Sequence, residues 1–575
     1  MGSESPTREK EEALLPELPD LELELPDFGL GALLDPLALS EALVEVGGRL
    51  ARNPKQALGA GIRWGFGMAE AATATAAKAL GADAEGPVAS ESDGRFADPT
   101  WRENPIYFGL LQSYLVSSRL LRDLVEAAGP NGAQTEKAAF ALEQLIDALA
   151  PTNFLPTNPA AVKRAYETGG ASLIRGARRF VEDLTGGSGM PRQVDVSGFT
   201  VGDQLAATPG KVVFRNRLIE LIQYEPQTET VFETPLLIIP PWINKYYVMD
   251  LAPGKSFVEW AVQHGHTVFI LSYCNPDESM RDVGMEEYLV EGPRVALDVV
   301  LEITGAPQAN LAGFCIGGTL TTMLLAHLVA AGDDSVRSAT LLASFVDFSD
   351  TGALGFLVDP VSVERIEQRM GSRGYLEGSD MAAAFNMLRS KDLIWRYVVS
   401  GWLMGEEPPA FDLLAWNGDA TRMPASMHSQ YLRSCYLENA LAKGEIELAG
   451  TPLVVGDIKV PLYVLAAQED HIVPWRSCYR TTQLVDDARF VLTSSGHIAG
   501  VVNPPSPKRN YWTNALLPDS ADAWLNEAAQ RPGSWWDDWT EWLAERSGEH
   551  RKPPELGSEV HPPLADAPGT YVHGK

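Results

Sequence analysis

The sequence predicts an α/β protein with a buried, mostly parallel sheet, a helical cap inserted between two core strands, and a mainly helical region ahead of the sheet. Three observations predict this class. Short Val/Ile/Leu runs alternate with helical patterns from about residue 200, residues 350–440 lack that alternation, and residues 35–190 have helical periodicity. Continuous apolar runs separated by helices are typical of parallel strands that are covered on both faces.

Composition divides the 575 residues into four predicted segments. Residues 1–34 are acidic and interrupted by proline, as in a flexible tail. Residues 35–195 form a predicted helical N-terminal domain, and residues 196–545 form the α/β domain with the cap at about 350–440. The polar, proline-rich residues 546–575 are predicted to be a flexible C-terminal tail.

Periodicity and length predict the individual elements. In the N-terminal domain, apolar residues at helical spacing predict helices over 105–128, 135–150 and 171–185. A Trp-rich helix is predicted at 535–543. The predicted strands are KVVFRN (211–216), LIELIQY (218–224), PLLIIP (235–240), HTVFILSY (266–273), QANLAGF (308–314), SATLLASF (338–345), PLYVLAA (461–467) and RFVLTS (489–494).

The charge and the cysteine count exclude several classes of protein. A net charge of −30 argues against a general nucleic-acid binder, because phosphate contacts need clustered Lys and Arg. Four cysteines without a C-x-x-C pair do not make a disulfide framework and fit a reducing cytoplasm. The sequence has neither a signal-peptide pattern nor an apolar run near 18 residues, so no membrane span is expected. No His/Cys cluster has metal-ligand spacing, so no metal is expected.

The stretch GFCIGGTL, residues 313–320, places a cysteine where the nucleophile elbow of a hydrolase, G-x-S-x-G, has serine. Cys315 lies between a predicted strand and a predicted helix, which is the context that an elbow requires. Gly313 and Gly317 are the small residues on either side, and the helix N-terminus favours a thiolate. On these residues alone, a buried structural cysteine in a glycine-rich turn is an equally good interpretation.

Two further residues complete the order nucleophile, acid, histidine that α/β-hydrolases use. Asp470 follows the strand PLYVLAA, and His497 follows the strand RFVLTS. Side chains at these positions converge on the C-terminal edge of a parallel sheet. Glu469 is a competing acid and His471 a competing histidine, and Asp470 as a helix cap or His497 as a loop histidine are the structural alternatives.

A cysteine nucleophile suits a thioester substrate, because exchange between thiol and thioester keeps the acyl group activated. His497 would take the proton of Cys315, and Asp470 would fix the imidazole tautomer. The backbone N–H of Ile316 is the first predicted oxyanion donor. The second is expected from the loop PPWINKYY (240–247), at Trp242.

Long motifs occur from about residue 100 onward: PIYFGLLQSYL, PLLIIPPWINKYYVMDLAPGKSFVEWAVQHGHTVF, GFCIGG, NMLRSKDLIW, GEEPPAFDLLAWNGDATRMP, SCYLENAL, EDHIVPW and SGHIAGVVNPP. On these motifs the chain resembles the polyhydroxyalkanoate synthases, which polymerise (R)-3-hydroxyacyl-CoA into a storage polyester. Phe314 within the GFCIGG box, the chain length and the C-terminal APGTYV are similar to the class I, short-chain type.

The resemblance implies a Cys315–His497–Asp470 triad, with His471 supporting the site and Trp416 near the active centre. Core packing is the alternative interpretation of Trp416. The resemblance also implies that (R)-3-hydroxybutyryl-CoA is the substrate, that CoA is a product rather than a cofactor, and that no other cofactor is used. A homodimer formed through the cap, attachment to cytoplasmic polyester granules and contact with granule-associated proteins are further implications.

The CoA phosphates require cations, for which Arg389, Lys391 and Arg396 are the candidates, with solvated surface charges as the alternative. The residues leave open whether the chain grows on one cysteine or through non-covalent intermediates, and whether His497 or Asp470 activates the hydroxyl.

Three rival functions remain at this stage. The first is an intracellular thioester or ester hydrolase that uses water as the acceptor. The second is a non-catalytic scaffold at a storage granule. The third treats the N-terminal helices as a separate module that binds granules or partners.

Overall fold

The computed structural model describes residues 36–52, 54–89, 93–129, 132–186 and 189–575. The predicted tail at 1–34 lies outside the described residues. Ahead of the sheet, the described chain is helical. Its helices are α1 (Pro36–Arg52), α2 (Pro54–Ala79), α3 (Thr100–Glu103), α4 (Pro105–Ala127), α5 (Gly132–Ala148), α6 (Pro159–Glu167) and α7 (Ala171–Thr185).

Local sequence explains where the long helix α4 begins and how it packs. Asn104 has extended backbone angles, its side-chain oxygen accepts from the N–H of Ile106, and a proline follows at the first helical position. Gly109 on α4 lies where a Cβ atom would press on Thr75 of α2. The two helices therefore approach closely because a small residue stands at the contact.

From residue 210 the described chain builds one large sheet. Its strands are β1 (Gly210–Arg215), β2 (Ile219–Tyr224), β4 (Leu236–Ile239), β5 (Val268–Tyr273), β6 (Ala309–Phe314), β7 (Val336–Leu342), β12 (Leu462–Ala467), β13 (Ala488–Thr493), β14 (Asn510–Thr513), β15 (Ala529–Pro532) and β17 (Ala565–Asp566). The two-residue strands β3 (Val231–Phe232), β8 (Tyr375–Leu376), β9 (Met423–Pro424), β10 (Glu447–Leu448), β11 (Thr451–Pro452) and β16 (His550–Arg551) lie outside it.

Within the described residues, the order across this sheet is β15-β14-β13-β12-β7-β6-β4-β5-β2-β1-β17. The central strands from β5 to β13 run parallel, and the strands at both edges are antiparallel. Successive residues of the central strands enter two different apolar clusters: Leu237 and Leu311 lie in one, Ile238 and Ala312 in the other. The sheet is therefore covered on both faces, and the predicted α/β class is confirmed.

All eight predicted strands are present, each within a few residues of its predicted bounds. The edge strands β14, β15 and β17 were not predicted. β15 is exposed along its whole length, and β17 has only two residues, so neither carries an apolar run.

The helices of this part of the chain connect the strands and cover the sheet. They are α8 (Phe257–Gln263), α9 (Met285–Leu289), α10 (Val295–Thr304), α11 (Ile316–Ala330), α12 (Ala353–Leu357), α13 (Pro360–Arg373), α14 (Gly378–Leu388), α15 (Asp412–Asn417), α16 (Ala425–Tyr431), α17 (Ala440–Lys443), α18 (Trp475–Arg480), α19 (His497–Val501), α20 (Ala521–Glu527) and α21 (Trp535–Ala544). Helices α12 to α17 lie between β7 and β12, in the region where the sequence predicts a cap. π-Helical turns interrupt this region at Lys391–Trp395, Val398–Leu403 and Leu432–Leu437.

The C-terminal residues 546–575, predicted as a flexible tail, pack against the α/β domain instead. β17 pairs with β1 at the sheet edge, and Val572 is buried. The fully buried carboxylate of Glu220 on β2 accepts hydrogen bonds from the backbone N–H groups of Thr570 and Tyr571, and it also pairs with Arg215. The prediction was wrong because the partners of this polar segment lie some 350 residues earlier in the chain, where local composition does not reveal them.

We expect Glu220→Ala to release this C-terminal segment, because the substitution removes the buried acceptor of two backbone N–H groups and of Arg215. The free energy of unfolding should fall by about 3 kcal/mol. Limited proteolysis should cleave the variant near residues 569–575 before it cleaves the wild type. Glu225→Ala, at an exposed position just beyond the same strand, is the matched control and should change stability by less than about 0.5 kcal/mol. Equal stability and equal proteolysis of the two variants would contradict the role of Glu220.

Candidate active site

Cys315 lies in a sharp turn between β6 and α11. Its backbone angles, φ 54° and ψ −126°, fall in a region that residues other than glycine rarely adopt. A Cβ atom on Gly313 would press on Gly317 and Gly318, and one on Gly317 would press on the carbonyl groups of Ile239 and Pro240. The turn therefore needs glycine on both sides of Cys315, as expected of a nucleophile elbow.

His497 and Asp470 meet at the same edge of the sheet. Asp470 follows β12, and His497 begins α19 after β13. His497 Nδ1 lies 2.6 Å from Asp470 Oδ2, and both side chains are buried. Because a carboxylate can only accept, Nδ1 carries the proton and Nε2 remains for a second partner.

Neighbouring elements hold the pair in place. The other carboxylate oxygen of Asp470 accepts from the backbone N–H groups of Ile472 and Val473, both at 2.8 Å, so the loop after β12 fixes the acid. The ring of Phe314 stacks on the imidazole of His497 with ring centres 5.2 Å apart. The Trp-rich helix α21 packs against α19. Trp535 and Trp536 of α21 donate to carbonyl groups at the C-terminal end of α19.

The electrostatics of the site favour a charged histidine. Burial lowers the pKa of His497, but Asp470 and Cys315 act in the opposite direction, and together they raise it to about 10. At neutral pH the imidazolium therefore lies between a carboxylate and a thiol side chain.

The other three cysteines have environments that suppress reactivity. Burial raises the pKa of Cys274 to about 11, and it also raises the pKa values of Cys435 and Cys478. None of the four is in a disulfide. Cys315 is thus distinguished by its elbow and by its contact with the imidazole.

Glu469 and His471, the alternative acid and histidine from the sequence, lie outside the hydrogen-bonded pair. Glu469 is exposed, and the hydrogen bond to His497 comes from Asp470. His471 is partly buried, and burial is the main cause that lowers its pKa to about 4. His471 is therefore a neutral neighbour of the pair, while the geometry places His497 and Asp470 together.

The loop that was predicted to supply the second oxyanion donor is clamped by the cap. Trp416 Nε1 donates to the carbonyl of Lys245 at 2.7 Å, and Thr421 Oγ1 donates to the carbonyl of Trp242 at 2.6 Å. From the other end of the chain, the Lys245 ammonium donates to the carbonyl of Gly574 at 2.7 Å. Trp416 is thus buried and has a second role besides packing, because it fixes the loop from above.

A small cavity of about 60 Å³ lies over Cys315, and residues of the cap form part of its wall. Its wall is mainly apolar. Ile316 lines the cavity, and so does Ile243 from the 240–247 loop. The Trp242 ring does not line the cavity and packs against Tyr288. The backbone N–H groups of Ile316 and Trp242 as oxyanion donors stay a prediction.

The three predicted phosphate-binding cations do not line this cavity. Arg389 pairs with Asp392 at 2.6 Å, and both charges act on His471, so this pair is the nearest to the site. Lys391 pairs with Asp93 at 3.0 Å. Lys391 and Arg396 line a separate cleft of about 600 Å³ between the N-terminal region and the cap. The three cations that were predicted to bind phosphate together therefore lie in two different places.

The sequence did not reveal the polar residues of the cavity wall, of which the histidine has the clearest chemistry. His428 on α16 is buried and lines the same cavity as Cys315. Its signal in the sequence is weak, because a single histidine in a helical pattern is typical of core packing. Only the packing of the cap on the sheet reveals its position.

No group of three or more His, Cys, Asp or Glu side chains is arranged to hold a metal ion in the described part of the chain. No described helix combines the length and apolar character that crossing a bilayer requires.

The sheet order, the elbow and the histidine–carboxylate pair define an α/β-hydrolase fold with cysteine at the nucleophile position. Comparison with known families agrees: residues 235–504 match the alpha/beta hydrolase fold, and residues 92–261 match the poly-beta-hydroxybutyrate polymerase (PhaC) N-terminus.

Proteins of similar sequence identify a family within the α/β-hydrolase fold. The chain is 45% identical to the poly(3-hydroxyalkanoate) polymerase of Methylorubrum extorquens, over 93% of this chain and 90% of that one. It is 43% identical to the Cupriavidus necator poly(3-hydroxyalkanoate) polymerase subunit PhaC, over 86% and 85% of the two chains, respectively. A third polymerase, from Ectopseudomonas oleovorans, is 41% identical over 84% and 87%. The chain belongs to the poly(3-hydroxyalkanoate) polymerase family, which confirms the resemblance found in its sequence.

The role of the acid can be tested by titration. We expect Asp470→Asn to lower the pKa of His497 from about 10, because the carboxylate raises it through both its charge and its hydrogen bond, and only Cys315 then opposes the effect of burial. In the wild type the imidazolium persists up to about pH 10, and in the variant it should lose its proton at a lower pH. The pH dependence of the Cys315 alkylation rate, together with NMR titration of the imidazole, measures the shift.

Glu469→Gln is the matched control, because it neutralises the adjacent exposed carboxylate. Its titration should superimpose on that of the wild type. A shift of the same size in both variants would contradict the assignment of Asp470.

Proposed function

We propose that the chain polymerises (R)-3-hydroxyacyl-CoA into polyhydroxyalkanoate with release of CoA, through an acyl group carried on Cys315. The observation that carries this proposal is the buried His497–Asp470 pair beside an elbow cysteine, in a member of this polymerase family. Catalytic roles for Cys315, His497 and Asp470 are part of the proposal.

In the first half-reaction, the Cys315 thiolate attacks the carbonyl carbon of the thioester. Negative charge develops on the carbonyl oxygen, for which the backbone N–H groups of Ile316 and Trp242 are the proposed donors. The bond from the carbon to the CoA sulfur breaks, and the leaving sulfur takes the proton from His497. Asp470 keeps the imidazole oriented throughout.

In the second half-reaction, the hydroxyl of another 3-hydroxyacyl group attacks the thioester on Cys315. His497 Nε2 accepts the hydroxyl proton, the new ester bond forms, and the bond to Cys315 Sγ breaks. The Asp470 carboxylate makes three hydrogen bonds, two to backbone N–H groups and one to His497, so it has little capacity left for a hydroxyl. This favours His497 as the group that accepts the hydroxyl proton in this half, after it has served as the proton donor in the first.

The cavity supports a short acyl group as the transferred unit. About 60 Å³ accommodates roughly four water-sized groups, which matches a small hydroxyacyl chain but excludes the pantetheine arm of CoA. We therefore propose that the cap segment moves to admit the thioester, and that the Arg389–Asp392 pair beside His471 lies on the entry side. Lys391 and Arg396 are proposed to bind CoA phosphates only after such a movement. The reaction as written uses protein groups alone and needs no further cofactor.

A hydrolase would share the pair and the elbow, but it would release free acid. The family relationship and the apolar cavity both favour transfer to a hydroxyl over transfer to water. A non-catalytic scaffold is disfavoured, because the histidine–carboxylate pair and the strained elbow are both intact.

The nucleophile is tested by substitution. With (R)-3-hydroxybutyryl-CoA, Cys315→Ala should release no CoA above background and form no polymer, a loss of more than about 10³-fold, because no acyl-enzyme can form. In the wild type, mass spectrometry after rapid quenching should find a hydroxyacyl group on the peptide that contains Cys315. Assaying (R)-3-hydroxyacyl-CoAs of increasing chain length defines the acyl range of the wild type.

The matched control is Cys274→Ala, since Cys274 is also partly buried and free. It should retain wild-type CoA release. Polymer synthesis by Cys315→Ala would exclude the acyl-cysteine mechanism, and free acid without polymer from the wild type would identify a hydrolase.

We further propose that the N-terminal region attaches the enzyme to the surface of the polyester granule in the cytoplasm. Helix α2 carries an exposed apolar stripe of Leu58, Ile62 and Phe66, which are 65%, 51% and 74% exposed. These residues are four apart, so they lie on one face of the helix. An exposed apolar face suits a hydrophobic polymer surface.

A homodimer formed through the cap is also part of the proposal, with exposed Val361 and Phe411 on that segment in its support. Granule-associated proteins are proposed as further partners.

The stripe on α2 is tested by adding charge to it. We expect the double variant Leu58→Glu/Phe66→Glu to shift protein from the granule fraction to the supernatant by about tenfold, because two charges would have to be desolvated at the polymer surface. Lys55→Glu, at an exposed position on the same helix, changes the net charge by the same amount and should leave the distribution unchanged. Full granule association of the double variant would exclude the stripe as the attachment surface.

A further inference from the structure

His428 faces the cavity above the nucleophile. It lies on α16 one turn before Tyr431 and Leu432, and all three line the same cavity as Cys315. Only 1% of its surface is exposed. The cavity is small, so any acyl group on Cys315 lies close to this imidazole.

Both ring nitrogens of His428 lack a hydrogen-bond partner among the described residues. Burial lowers its pKa to about 4, so the imidazole is neutral at pH 7 and offers one donor and one acceptor. An unpaired buried polar group costs about 1–3 kcal/mol, so most such groups in proteins are paired. A ligand that supplies the missing hydrogen bond would recover part of this cost.

A buried unpaired histidine is not sufficient evidence by itself, as His266 demonstrates. His266 is equally buried and both of its nitrogens also lack a partner in the described structure. However, its ring stacks on Phe232, with centres 4.8 Å apart, and lies near Trp539, and it does not line the cavity. The difference between the two histidines is access to the space where the substrate reacts.

The other polar side chains of the cavity wall differ from His428. Thr319 Oγ1 donates to the carbonyl of Phe345 at 2.7 Å. Tyr431 and Tyr436 pack edge to face, with ring centres 5.5 Å apart. Among the described residues of this wall, His428 is the side chain with buried nitrogen or oxygen atoms that lack a hydrogen-bond partner.

The proposed substrate has one polar group to match. The thioester carbonyl goes to the oxyanion donors, which leaves the 3-hydroxyl, two carbons away, inside an otherwise apolar cavity. We propose that His428 is a substrate-binding residue that hydrogen-bonds the 3-hydroxyl of the acyl group held on Cys315, and thereby selects hydroxyacyl over unsubstituted acyl thioesters. This inference rests on the proposed function, since it deepens the substrate recognition of the same site.

Selectivity follows from the hydrogen bond. An acyl group without the hydroxyl leaves the imidazole unpaired, and sites built to bind a hydroxyl discriminate against analogues that lack it. The contact also holds the hydroxyl at a fixed place in the cavity, away from the thioester that its own chain forms.

The test compares two acyl donors in the first turnover. CoA release within one enzyme equivalent is measured with (R)-3-hydroxybutyryl-CoA and with butyryl-CoA, which can acylate Cys315 but offers no 3-hydroxyl. We expect His428→Leu to lower the acylation rate constant with the hydroxyacyl donor by about tenfold, and to change the rate constant with butyryl-CoA less than twofold. His428→Asn, which keeps donor and acceptor capacity at this position, should retain more of the preference for the hydroxyacyl donor.

Stability provides an independent readout. The thermal midpoint of His428→Leu should not fall below that of the wild type, because an unpaired polar group is removed. His266→Leu is the matched control and should keep wild-type rates with both donors. If His428→Leu is insoluble, His428→Phe replaces it, since its ring fills the same space without polar atoms.

Equal losses with both donors, or unchanged rates with both, would overturn the proposal, as would a selective loss in His266→Leu. The proposed function fails by a different result, namely a wild type that forms no polymer from the hydroxyacyl donor. The ratio of the two acylation rate constants is measured before polymer forms, so the two failures are distinguishable.

Discussion

The close approach of helix α11 to the sheet is the constraint on which the rest of the site depends. Gly317 lets the start of the helix reach the carbonyl groups at the end of β4, and Gly313 and Gly318 leave no side chain between helix and strand. Cys315 takes a strained backbone conformation as a result, which lifts its side chain above the strand ends. A residue with a Cβ atom at any of these glycines would displace Cys315 from His497.

Around this fixed point, the site is assembled from distant parts of the chain. The carboxylate and the histidine come from loops after β12 and β13, and the tryptophans of α21 support the helix that carries His497. Cap residues hold the 240–247 loop from above, and the last residues of the chain hold it through Lys245. The C-terminal residues are in turn fixed by Glu220 on β2. Loop, cap and C-terminus therefore form one connected polar network next to the nucleophile.

The parts of this arrangement that follow from local pattern were predictable. Each central strand is a continuous apolar run, and Cys315, Asp470 and His497 each stand directly after one, so strand order alone brings them to one edge. The C-terminal packing, the clamp by Trp416 and the position of His428 were not predictable in this way. In each case the partner lies at least 100 residues away, and neither composition nor periodicity records which buried polar groups will pair. The grouping of Arg389, Lys391 and Arg396 failed for the related reason that neighbours in sequence take different ion-pair partners in space.

In the proposed mechanism, the cavity rather than the three catalytic side chains decides between polymer and free acid. A cysteine, a histidine and a carboxylate in this geometry can transfer an acyl group to water as well as to an alcohol. Water would have to be held and oriented by polar groups, but the wall of this cavity is mainly apolar, and among its described residues the buried polar atoms without a hydrogen-bond partner are those of His428. A 3-hydroxyacyl group that bonds to His428 would occupy that remaining partner and fill the apolar space around it. The same contact that recognises the substrate would then also remove the place where a hydrolytic water could bind.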